Sequence, residues 1–141
     1  MGGIEALPFS ILVFITGTLL ILSLWAVVDA KFAVDHAARE AVRYGAESAT
    51  DTRPDVAATM RAVALDTLTD AGRTAPATVE ITASNGFERC SRLQVTVETS
   101  VPAIRIPFLG GVGPAFAVRS THSELVDPTR SGVTGEATCL S

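Results

Sequence analysis

The pattern of the chain begins with 23 residues, 6–28, that carry no charge and are mostly Leu, Ile, Val, Phe and Ala. Glu5 bounds the run on one side and Asp29 on the other. An uncharged apolar run of this length is enough to cross a bilayer core as a helix. In lipid every backbone N–H and C=O must be paired within the segment, which leaves helix as the form of a single span. Summed over the Leu, Ile, Val and Phe residues, insertion is favoured by roughly 4–8 kcal/mol as an upper bound. Pro8 falls in the first turn, where its missing N–H would be unpaired in any case. Trp25 sits near the far end, at the depth an indole prefers.

The helical pattern does not stop at Asp29. Ala30, Val34, Ala37, Ala41 and Tyr44 recur at helical spacing, while Asp29, Lys31, Asp35, Arg39, Glu40 and Arg43 fill the other face. The spacing predicts one helix over about residues 5–49, roughly 65–70 Å long, or about twice the bilayer core. A polar connection follows at 47–53. A second helix is expected over 54–71, capped by Asp51 or Thr52, with Pro54 in its first turn and Gly72 just past its end.

Beyond Pro76 the period changes to two. Val79 and Ile81 alternate with Thr78, Glu80 and Thr82, which predicts a half-buried strand over 77–83. Ser84, Asn85 and Gly86 signal a turn. Leu93, Val95, Val97 and Val101 alternate with Gln94, Thr96, Glu98 and Ser100 as a second strand. Pro102 and Pro107 bracket Ile104 to Ile106 as an edge piece. Gly110 to Pro114 reads as a loop, and 115–126 as a third strand, clear only from Phe116 to Ser120. A polar tail runs from Asp127 to Cys139. The expected fold is α+β: a long N-terminal helix, a shorter second helix, and a small, mostly antiparallel sheet of three or four strands. The chain divides into a lead (1–5), a transmembrane part (6–28), an amphipathic continuation (29–50) and a small domain (51–141).

Charge narrows the function. The net charge is −4, and no basic stripe exists to follow a phosphate backbone, so nucleic acid is not expected as a partner. The two cysteines, Cys90 and Cys139, are expected to form a disulfide in a compartment outside the cytoplasmic membrane. A cleaved secretory signal, cut after Ala30, is disfavoured. The apolar run is too long for it, no Lys or Arg precedes the run, and the helix pattern continues through the cut.

Candidate chemistry is sparse. The glycines at 110, 111 and 113 lack the Lys-Ser/Thr of a phosphate loop. His36 and His122 are isolated in sequence and do not make a metal site. No Ser or Thr lies in a nucleophile-elbow motif. No catalytic constellation, metal site or cofactor is expected, and the reading is of a protein that is not an enzyme.

A helix half in the membrane and half on a small sheet is the plan of pilins and pseudopilins. Ile4-Glu-Ala-Leu-Pro-Phe9 and the apolar run after it resemble the N-terminus of TadE-like proteins of the Tad (Flp-type, tight adherence) pilus system. Residues 35–46 resemble that family's helix-exit signature, carried by Ala37, Ala38, Arg39, Glu40 and Arg43, and residues 124–132 resemble the tail of some members. The resemblance implies a minor pilin or pseudopilin in the cytoplasmic membrane, with its domain outside the cytoplasm. Its implied partners are other pilin subunits, the pilus assembly machinery and a prepilin-type peptidase. It also implies a role in assembly or processing for Glu5, because the class keeps a glutamate at the fifth position of the mature chain. Three readings of the N-terminus stay open: a mature chain beginning at Met1, a true start further upstream, or an unprocessed member. The rival expectation is a single-pass membrane protein whose exported domain binds a partner without polymerising.

Overall fold

The computed structural model describes residues 6–48, 53–106, 110–136, 138 and 139. The expected caps Asp51 and Thr52 lie outside these residues, as does Glu5. The fold is α+β: helices α1 (Ala6–Ser48) and α2 (Arg53–Asp70) and strands β1 (Ala77–Phe87), β2 (Arg92–Ile106) and β3 (Gly110–Leu125). The three strands form one antiparallel sheet in the order β1-β2-β3.

α1 is one helix of 43 residues, roughly 65 Å long. No side chain before Ala26 is buried, and from there the buried positions are Ala30, Ala33, Val34, Ala37, Ala38, Ala41, Val42, Gly45 and Ala46. The arc is wider than a single amphipathic stripe because two elements, α2 and the sheet, flank the helix. Tyr44 is only half-buried.

α2 presents Val56, Met60, Ala64 and Leu68 to the core, one per turn. It ends in a Schellman motif: Gly72 (φ 72°) donates to Thr69 O at 2.8 Å and Arg73 donates to Leu68 O at 2.8 Å. Leu93, Val95, Val97 and Val101 of β2 are fully buried against the helices. The layers approach closely at Gly45, where an added Cβ would fall 2.5 Å from the end of Met60 and 3.2 Å from Leu93.

The strands run further than the sequence pattern shows. β1 continues through the expected turn at 84–86, and the chain reverses at Glu88 to Ser91 instead, with Cys90 at φ 63°. Ser91 takes over the turn: its hydroxyl donates to Gly86 O at 2.6 Å and accepts from Asn85 N at 3.2 Å. The edge piece at 104–106 is a continuation of β2 through Pro102. Proline is tolerated there because β1 pairs no further along β2 than Thr99, so Pro102 has no β1 carbonyl awaiting its missing N–H. The glycine segment from 110 to 114 is not a loop but the start of β3. Gly110 and Gly113 take φ of 92° and 94°, and the β2–β3 register shifts between Pro102 and Ile104. That bulge absorbs the extra residue on β3 and lets the pairing continue past it.

Candidate functional site

The surface that sets this chain apart is the first half of α1. Its large apolar side chains stand in the open, among them Phe14 at 75%, Trp25 at 70% and Leu24 at 68% exposure. Residues exposed on every side of a helix face one medium. For Leu, Ile and Phe that medium is lipid or another apolar helix. Among the described residues α1 is the one helix long and apolar enough to cross a membrane. Polar groups inside this half satisfy themselves: the hydroxyls of Ser10, Thr18 and Ser23 each donate to the carbonyl four residues earlier, at 2.8 Å.

The expected helix-exit signature divides into two jobs. Ala37 and Ala38 are fully buried and form part of the seam against which the domain closes. Arg39 and Arg43 stand exposed and pair along the helix, Arg39 with Asp35 at 2.9 Å and Arg43 with Glu47 at 2.8 Å. Hydrogen bonding to Glu47 raises the Arg43 pKa above its ordinary value. Glu40, with His36 and Asp70, lines a shallow hollow between the helices.

The structure also brings together a group that sequence spacing hides. Ser120 and His122 occupy inward positions of β3, opposite Val97 and Val95. There they meet Asp35 of α1: Ser120 Oγ donates to Asp35 Oδ1 at 2.9 Å, and His122 Nε2 lies 2.7 Å from the same oxygen. A carboxylate only accepts, so Nε2 carries the proton. The Arg39 Nε contact to that nitrogen at 3.4 Å is therefore not a hydrogen bond but a crossing of two donors on one acid. The bond from His122, then the bond from Ser120, holds the Asp35 carboxyl below the usual carboxylate range, against a smaller opposing effect of burial. Ser, His and Asp are the types of a hydrolytic triad, but the wiring differs. A triad serine bonds to the histidine, whereas here serine and histidine both bond to the acid. The arrangement is a clamp between helix and strand. One turn earlier Lys31 Nζ donates to Arg119 O at 2.6 Å. On the other flank, Arg73 pairs with Asp29 and reaches Ala26 O at 3.4 Å. Charged groups thus fasten the domain to α1 just past the apolar run.

Cys90 and Cys139 are bonded to each other, 49 residues apart in sequence. The bond closes the tail over the β1–β2 reversal. Arg89 N donates to Thr134 O at 2.9 Å and Cys90 N to Val126 O at 3.0 Å, while Val126 and Val133 fill the core beneath. Arg130 Nη1 donates to Ala46 O at 2.8 Å and so satisfies one of the carbonyls left open at the end of α1. No group of three or more His, Cys, Asp or Glu side chains able to hold a metal exists among the described residues. Comparison with protein-family models, with curated proteins and with solved structures finds no match.

Proposed function

We propose that this chain is a minor pilin or pseudopilin-type subunit of a TadE-like, Tad-pilus class. In this reading α1 holds it in the cytoplasmic membrane and the sheet domain sits on the far side. The observation that carries the reading is the division of one unbroken helix: apolar with no buried side chain before Ala26, packed along one face against its own domain after it. A helix that only had to anchor the chain would need no rigid continuation into the domain. A helix that must carry the domain from a bilayer into a filament does need one. The disulfide supports an oxidising compartment for the domain. Other pilin subunits, the assembly machinery and a prepilin-type peptidase are the partners of this reading, and Glu5 is the residue to which it gives a role in assembly or processing.

Glu5 would face the N-terminal amine of a neighbouring subunit, each charge offsetting the other in an apolar bundle. Glu5→Ala is expected to leave membrane insertion intact and to remove the protein from sheared pilus fractions. Wild-type protein found only in membranes, never in sheared filaments, would turn the assignment to the non-polymerising single-pass protein.

A further inference from the structure

Beyond their last buried residues, Val101 and Val118, β2 and β3 continue as a free-standing arm. Its described residues are 102–106 and 110–117, and all of 110–117 are exposed. Three markers fix the level at which the arm leaves the core. Leu93 lies beside Gly45. From Leu93 to Val101 the strand advances roughly 27 Å, the same as α1 advances from Gly45 back to Val27. Along β3, Arg119 meets Lys31 and His122 meets Asp35, while further on Arg130 meets Ala46, so β3 runs beside α1 in the same direction. The arm therefore leaves the core at the level where the buried face of α1 ends. On α1 itself the half-buried Leu19 and Ser23 prolong the seam of Ala26 and Ala30.

The chemistry of the arm changes at the same level. The outer face of the sheet body carries Thr78, Glu80, Thr82, Gln94, Glu98 and Ser100. Residues 101–117 contain no Asp, Glu, Asn, Gln, Ser, Thr or His, and Arg105 is their one charge. Ile104 and Val112, paired across the arm, are 46% and 53% exposed, and Phe116 is 55% exposed.

We propose that this arm is a second membrane contact, lying in the headgroup layer of the leaflet on the domain's side. The proposal rests on the reading of α1 as a membrane span. An open two-stranded arm has unpaired N–H and C=O groups along both edges, which the hydrocarbon core does not tolerate, so the arm settles where water and headgroups reach its edges. With the arm seated, the chain meets the membrane at two points, and α1 with its domain cannot spin freely about the helix axis.

The test uses the full chain in vesicles of phosphatidylcholine and phosphatidylglycerol, with lipids brominated near the headgroup or deep in the acyl chain. Trp25 is the only tryptophan, so its quenching in the wild type reports the α1 span alone. A Trp25→Phe/Phe116→Trp variant, and a second with Val112→Trp instead, report the arm. Blue-shifted emission quenched more strongly by the shallow than by the deep bromine is expected for both. Red-shifted, unquenched emission would place the arm in water, and blue-shifted but unquenched emission would place it against protein. Either result, with Trp25 quenched, overturns the arm contact and leaves the span standing. An unquenched Trp25 overturns the span and the arm contact with it.

Discussion

The two halves of α1 invert the usual relation between side-chain size and burial. Before Ala26 the helix carries Leu, Ile, Phe and Trp, and they are outside. After it the inner face is Ala, Val and Gly, and these are at or near zero exposure. Each half answers a different neighbour. The first meets a medium that rewards apolar area whatever its shape. The second meets α2 and the sheet, where small side chains let backbones approach and Met60 can lie across Gly45. Continuity of the backbone hides this change of rule, and only side-chain volume reveals it.

The largest expected effect separates the halves through the staple. Replacing Cys90 and Cys139 together by serine is expected to lower the stability of the domain by about 2–4 kcal/mol, by freeing a loop of about fifty residues in the unfolded chain. Thermal melting followed by near-ultraviolet dichroism reads this, and membrane fractionation should not change. Next comes Ile15→Arg, expected to cost about 3 kcal/mol of insertion at mid-helix. Here carbonate extraction should release protein while the melting temperature of the domain holds. If one of these two variants moved both readouts equally, the halves would not be separate. Ala37→Leu should act only on the second half, costing about 1–3 kcal/mol because no space exists beside a fully buried alanine.

The smallest effect concerns the clamp between α1 and β3. The Asp35 pKa is depressed in the folded chain, so its ionised form contributes stability above the ordinary carboxylate value of 3.8. That contribution is lost as pH falls through the lower, folded value. Asp35→Asn should therefore lower stability at neutral pH and flatten the loss below about pH 4, so that the two profiles converge in acid. A wild-type profile that matched the variant's at every pH would remove the clamp from the account.

Much of the architecture was legible because it depends on periodicity. The long helix follows from the apolar run and the continued spacing of Ala30, Val34, Ala37 and Ala41. The second helix follows from Val56, Met60 and Ala64, and the central strand from Leu93, Val95 and Val97. What was hidden depends on partners. Gly110 to Pro114 carries loop residues, and only its pairing with Ile106, Arg105 and Ile104 across a bulge makes it strand. Asp35 and His122 are 87 residues apart, and nothing local marks them as a pair. One signal was available: Ser120 and His122 share the parity of Val118, which places two polar side chains on the inward face of β3 and demands a polar partner there.

The Arg130 bond to Ala46 has a consequence in time. Residues enter the chain in order, and the two partners are 84 positions apart. At synthesis rates of about 5–20 residues per second, the end of α1 waits roughly 4–17 s for the group that closes it. Val126, Val133 and Cys139 lie close to Arg130 and arrive with it. During that interval the alanine seam of α1 exists without its full cover, which is complete only once residues 126–139 have been made.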